Sequence, residues 1–411
     1  MSCGTDCVVL GLLSLASPVG AQDLKQQWAW CLNKDGAFTN DQWMAGCTAV
    51  IDANRETPEN RAIALRGRGN AWVDKGQPQR AIEDYDQALR LAPHGSGIFV
   101  NRGIAYAALG QFDRAIQDYD EALRLKPDFA EAYYFRGEAW REKADPNRAL
   151  KDYDQAIRLN PKMADAFIGR GMVYATVAQG DRAIKELDQA LRLNPKSALA
   201  FNNRGYVYAL EGKYDRAIED YDRAIRLDPN SSKVWNNRGL AWHRKGEDER
   251  AIQDFDRAIR LNPTGTGVRN RGWSYSAMGQ YDRAIEDFDQ ALRLKPDDAD
   301  LLGNRCDAKA GAGALAAALA DCNEALRRMP DSWEILESRA FTYLKMQQWP
   351  QALADYDAAL RIAPGAVSAL FSRGVVRRRM GDAKGGDADI ADAVARDAAI
   401  AGQMARRGVV P

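Results

Sequence analysis

Apolar residues recur three, four and seven positions apart along most of the chain, interrupted by short polar turns. In the stretch 201–208 (FNNRGYVY) and again in 217–227 (AIEDYDRAIRL) this spacing puts them on one stripe of a helix. Between the two lies the polar turn Glu211, Gly212, Lys213, and after the second come Asp228, Pro229 and Asn230, where proline stops the helix. The pattern therefore predicts a helical hairpin.

The hairpin is copied. Proline falls at 93, 127, 161, 195, 229, 263, 296, 330 and 364, in steps of 34 residues with one of 33. An arginine keeps the same phase at 68, 102, 136, 170, 204, 238, 271, 305, 339 and 373, and glycine usually follows it. The short step lies where Thr264, Gly265, Thr266 and Gly267 replace the usual turn, so one residue is lost outside the helices. Self-similarity at this period is the mark of a solenoid. In one unit the order is Phe201, Gly205, Tyr208, Gly212, Tyr214, Ala217, Tyr221, Ala224 and Pro229. That order resembles the tetratricopeptide repeat, in an Arg-Gly variant: Arg204 and its equivalents stand where the family more often has leucine. The resemblance implies an all-α, right-handed superhelical solenoid, and it is similar in this to exported bacterial proteins built of the same repeat.

On this reading residues 1–21 are a signal peptide and 22–61 a degenerate N-terminal capping hairpin. Nine repeats fill 62–366, 367–400 form a degenerate C-terminal cap, and 401–411 are a tail. The repeating glycines, such as Gly103, Gly205 and Gly239, sit in helix interiors where each costs about 1 kcal/mol against alanine, so each must admit a close neighbour. Alanines such as Ala115, Ala217 and Ala251 are the expected neighbours. Tyr106, Trp140, Tyr174, Tyr208, Trp242 and Tyr275 are expected to fill the space between hairpins.

Charge adds exclusions. There are 57 basic and 57 acidic side chains, and the arginines alternate with aspartates instead of forming a basic stripe, which argues against nucleic acid as a partner. No run approaches the roughly 18 apolar residues of a membrane span. The apolar stretch from Cys7 to Ala16, followed by small residues up to Ala21, reads as an export signal cleaved after Ala21, although no basic residue precedes it. Cleavage would leave Cys31, Cys47, Cys306 and Cys322 in two pairs, each 16 residues apart. Cys306 replaces the packing glycine of its unit and Cys322 the aromatic expected to face it, so two disulfides are predicted in a bacterial periplasm. The alternative is a cytoplasmic protein with four reduced core thiols.

Reactive chemistry is not expected. In the recurring Asp-Tyr-Asp, Asp84 and Asp86 each have an arginine four residues away (Arg80, Arg90), the spacing of surface helix ion pairs rather than of catalytic carboxylates. His94 and His243 lack a second ligand at metal-binding spacing, and no phosphate loop or nucleophile elbow is present, so no metal, cofactor, small-molecule substrate or enzyme activity is implied.

Function is expected on the face lined by the first helices, which the resemblance makes the ligand groove. Asn101, Asn203, Asn237, Asn270 and Asn304 each precede a repeating arginine, and Asn202 and Asn236 widen the polar strip. They resemble the asparagine ladder of O-linked N-acetylglucosamine transferases, and asparagine suits bidentate bonding to a peptide backbone. Bonding between neighbouring helices is the competing role. Tyr206, Trp273, Arg269 and Arg244 flank the strip, with Trp273 as anchor or as interhairpin packing. The function predicted is a non-catalytic scaffold binding an extended peptide or protein partner in that groove. The alternative is a cell-envelope assembly factor that docks partner enzymes through its convex surface.

Overall fold

The computed structural model describes residues 21–53, 55–263 and 265–411. The expected signal segment lies outside the described residues except for Ala21. Among the described residues the chain is helical without strands, and it divides into two compact units, the first ending at Asn194 and the second running from Pro195 to Pro411.

The first unit holds five hairpins: α1 (Ala21–Leu32) with α2 (Asn40–Asp52), α3 (Pro58–Asp74) with α4 (Pro78–Leu91), α5 (Ser96–Ala108) with α6 (Phe112–Leu125), α7 (Ala130–Glu142) with α8 (Pro146–Leu159), and α9 (Ala164–Thr176) with α10 (Gly180–Leu193). The second holds six: α11 (Ala198–Leu210) with α12 (Tyr214–Leu227), α13 (Ser232–Arg244) with α14 (Asp248–Leu261), α15 (Gly265–Ala277) with α16 (Tyr281–Leu294), α17 (Ala299–Gly311) with α18 (Leu315–Arg328), α19 (Trp333–Lys345) with α20 (Trp349–Ile362), and α21 (Val367–Arg379) with α22 (Ala383–Arg396). A final helix, α23 (Ile400–Arg406), follows. Residues 401–411, expected as a tail, thus fold back: Ile400, Met404 and Val409 are buried in the core of the second unit.

In the hairpins of Gly69, Gly103, Gly137, Gly205, Gly239 and Gly272 the glycine of the first helix faces an aromatic ring of the second, whereas Gly171 faces Leu187 and Gly374 faces Ile390. A Cβ on Gly239 would lie 2.6 Å from Phe255 Cε1, and one on Gly103 2.5 Å from Tyr119 Cε1, so the rings rather than the alanines fill the gap the glycines leave. Those rings, Tyr85, Tyr119 and Tyr153 in the first unit and Tyr221, Phe255, Phe288 and Tyr356 in the second, are fully buried. The ring slot is the middle residue of Asp-Tyr-Asp, which explains why an aromatic recurs there in most hairpins. Where Cys306 and Cys322 take the two slots, their sulfurs bond at 2.07 Å; Cys31 and Cys47 bond at 2.03 Å between α1 and α2.

The acids flanking the ring do not pair four residues away. Arg102, Arg136, Arg170, Arg238, Arg271, Arg305, Arg339 and Arg373 each reach 16 residues forward and 15 or 16 back. Arg238 Nε and Nη2 donate to both oxygens of Asp254 at 2.8 and 2.7 Å, while its Nη1 donates to Asp222 of the preceding hairpin at 2.5 Å. Arg102 joins Asp118 to Asp86, Arg305 joins Asp321 to Asp289, and Arg373 joins Asp389 to Asp357 in the same way. One guanidinium therefore ties its own second helix to that of the neighbour, using the planar fork for a bidentate bond. In the hairpin of Cys322, Asn323 stands in the second acidic slot, and Arg339 still finds it, at 3.0 Å. Leucine in the arginine slot could not make this link.

Arg80, expected beside Asp84, instead lies over Trp72, 4.7 Å from the ring centre. The arginines at the same slot repeat this: Arg148 over Trp140 at 4.4 Å, Arg182 over Tyr174 at 3.9 Å, Arg250 over Trp242 at 4.7 Å and Arg283 over Tyr275 at 4.1 Å. The interhairpin aromatics thus keep one face apolar and give the other to a cation. Tyr174 and Tyr275 are buried, and Tyr106, Trp140, Tyr208 and Trp242 half-buried.

Candidate functional site

The asparagines of the second unit meet, but in a staggered register. Asn237 Nδ2 donates to Asn202 Oδ1 at 2.9 Å, and Asn270 Nδ2 to Asn236 Oδ1 at 2.8 Å, so the residue before one arginine bonds the residue two before the previous one. Asn202 also donates to Asn203 Oδ1 at 3.1 Å. Asn202, Asn203 and Asn270 are buried and Asn236 and Asn237 half-buried. In the first unit Asn101 Nδ2 donates to Asn70 Oδ1 at 2.7 Å, which also accepts from the Tyr85 hydroxyl. These amides bond helix to helix, and the single accessible ladder in the register of Asn203, Asn237, Asn270 and Asn304 does not form. In α13 and α15 the amide meets the residue one position off the repeat in the preceding first helix, whereas Asn101 meets one three positions off.

Asn304 stands apart from this strip. It is half-buried on the wall of a cavity to which five consecutive first helices contribute: His243 from α13, Trp273 and Ser276 from α15, Asn304 and Asp307 from α17, Trp333 and Glu337 from α19, and Ser368 from α21. Trp273 packs against the core and also lines this cavity. The Arg269 guanidinium lies 5.0 Å above its ring centre. Arg244 is exposed on an adjoining recess, which Asp248, Glu249, Met278, Tyr281 and Arg407 also line. Tyr206 is 41% exposed on α11 and lines neither space.

His243 Nδ1 lies 2.6 Å from Asp248 Oδ1 and 3.2 Å from the hydroxyl of fully buried Ser274. Both partners share one ring nitrogen. A hydrolytic triad needs the acid and the nucleophile on opposite nitrogens, with the hydroxyl open to substrate, so this trio orients the ring and does not activate the serine.

Electrostatically the cavity is acidic with one guest. Asp307 and Glu337 project from adjacent first helices, and Arg407, following α23, donates to the Asp307 carboxylate with its guanidinium 4.4 Å from the Phe341 ring centre. Burial pushes the Glu337 carboxyl up, against the pull of a hydrogen bond from Ser368 and the charge of Arg407. Burial works against the charge on Arg407, yet Asp307 and Glu337 hold it more firmly protonated than usual. Sequence reasoning missed Asp307, Glu337, Trp333 and Arg407. Asp307 and Phe341 were within reach: they stand two residues after Arg305 and Arg339, the slot that Tyr206 and Trp273 occupy in their own hairpins. For Arg407 the repeat offers no signal.

Among the described residues no three His, Cys, Asp or Glu side chains are grouped so as to hold a metal ion, and no helix is long and apolar enough to cross a membrane.

Models of the tetratricopeptide repeat match residues 62–94, 103–140, 130–163, 179–212, 198–231, 232–264 and 269–298, a little over half of the chain. Among curated proteins none matches. Of solved structures, one chain of the APC/C hetero-tetramer Cut9–Hcn1 aligns over 95% of this chain and 96% of its own length at 13% identity, with a TM-score of 0.53. A tetratricopeptide repeat protein of Parabacteroides merdae is 22% identical over 59% of this chain and 97% of its own, with a TM-score of 0.49. Pseudomonas aeruginosa PilF is 21% identical over 51% of this chain and 96% of its own, with a TM-score of 0.46. With the 34-residue hairpins and the glycine-to-ring packing already described, the family-model matches lead to one conclusion: the chain belongs to the tetratricopeptide repeat family.

Proposed function

We propose that this protein is a non-catalytic scaffold that takes an extended peptide, or an extended segment of a protein partner, along the first-helix face of its second unit. Family membership supports protein–protein interaction as the general role. The observation that carries the finer reading is the cavity that α13, α15, α17, α19 and α21 line together. A segment lying across successive first helices would meet a half-open indole at Trp273, an amide at Asn304 and carboxylates at Asp307 and Glu337. Aromatic anchors in such recesses carry most of the affinity of an interface. The buried asparagines are assigned to holding the first helices together, and Asn304 alone to the ligand.

We further propose that the chain works after export, in a periplasm, where the two disulfides form and persist.

In a peptide-array experiment, the Trp273→Ala/Asn304→Ala variant is expected to lose at least about tenfold in affinity for the peptides the native chain selects. Equal binding by the two proteins would remove this face from the function.

A further inference from the structure

We propose that Asp307, Glu337 and Phe341 form a socket for a guanidinium, and that an arginine-bearing segment of a partner docks there in place of the chain's own C-terminal residues. The proposal rests on the peptide-binding reading above and supplies the chemistry of the peptide.

The first argument is one of surplus. Around the socket the repeating arginines already take the acidic slots: Arg305 holds Asp321 and Asp289, and Arg339 holds Asp355. Asp307 and Glu337 belong to neither slot. They are carboxylates the repeat does not need; both line the cavity that Arg407 enters, and the Arg407 guanidinium lies over the Phe341 ring. Two acids and an aromatic face are the complement of arginine, whose planar cation stacks and donates at once.

The second argument is the guest. Arg407 comes from 100 residues away in sequence to bond Asp307. It sits in the socket as a ligand would, carried by a seven-residue helix at the end of the chain. Ile400, Met404 and Val409 anchor that segment, whereas Ala401, Gly402, Gln403, Ala405, Arg406, Val410 and Pro411 are exposed. The pair itself is not sealed, since Arg407 and Asp307 each keep 28% of their side-chain surface in solvent. A short segment held by three apolar side chains and one half-open ion pair opens more readily than a helix inside the stack. It shares its cavity with Trp273 and Asn304, so its departure and a partner's arrival concern one space.

The test uses the full chain and a fluorescein-labelled synthetic peptide of residues 397–411, read by anisotropy. Met404→Asp/Val409→Asp, which releases the segment, is expected to bind the peptide at least about tenfold tighter than the native chain, because the internal competitor is gone. A peptide carrying Arg407→Ala, or a released chain carrying Asp307→Asn, is expected to lose that gain. Equal binding by native and released chains, or equal binding of the two peptides, overturns the proposal. If the released chain fails to fold, Arg407→Ala in the full chain empties the socket and keeps the anchors; an unchanged affinity for the native peptide then overturns it. A released chain that ignores the peptide yet keeps the array peptides selected above refutes the socket alone. Loss of all peptide binding in a folded released chain refutes both readings.

Discussion

Arg238→Leu, which restores the residue commoner in the family, lowers the unfolding free energy by about 3–5 kcal/mol, because it leaves Asp254 and Asp222 without their cation. Asp254 is 4% exposed and cannot recover its loss from water. The deficit depends on pH in a definite direction. Burial already pushes the Asp254 carboxyl above its ordinary value, against the pull of Arg238 and with a push from Asp222. A raised carboxyl favours the folded state below its unfolded value of 3.8, and that contribution is lost as pH rises through the folded value. Removing Arg238 raises it further, so the gap between native and variant is widest at neutral pH and narrows on acidification. Urea denaturation of both proteins at pH 7 and near pH 4 measures this. A gap that is small at pH 7, or that widens in acid, contradicts the clasp. Arg238→Leu combined with Asp254→Leu is expected to recover much of the loss, since an apolar pair of similar size avoids the desolvation of two ions.

Removing one disulfide ranks second. Cys306→Ala/Cys322→Ala opens a loop of 15 residues between the bonded pair and is expected to cost about 3 kcal/mol through the freedom regained by the unfolded chain. Both cysteines are fully buried at the glycine-to-ring contact, so a cavity adds to the loss. Because neighbouring hairpins stabilise each other, the lowered melting temperature should be accompanied by faster hydrogen exchange in α17, α18 and the helices that touch them. A melting temperature unchanged from the native protein would contradict a structural role. Protein purified from its natural source is expected to show an intact mass lacking residues 1–21 and four hydrogens; full-length mass with free thiols contradicts export.

Much of the architecture could be read from the sequence because a 34-residue period states itself many times. The hairpins, their turns, the degenerate ends and the cysteine pairs all follow from which slot a residue occupies. The clasps do not follow. Reading along one helix finds Arg80 four residues from Asp84, and nothing local says that Asp84 belongs to Arg68 instead, 16 residues back, since that choice is made when two helices cross. The asparagines failed similarly: their presence in one slot was visible, but the one-residue offset that pairs Asn270 with Asn236, and the burial of Asn203 and Asn270, are properties of packing. Asn304 shares its slot with Asn203 and Asn270, yet it stands half-buried on the cavity wall, a difference that the slot does not announce. The seven residues of α23 carry no repeat and too short an apolar pattern to announce where they dock.

Hydrogen exchange on the native chain with and without a selected array peptide tests the central claim most directly, because it compares both faces of every hairpin at once. Binding along the first helices predicts slowed exchange in α13, α15, α17 and α19, with α14, α16, α18 and α20 unchanged. Protection confined to those second helices would contradict it and place the partner on the opposite surface.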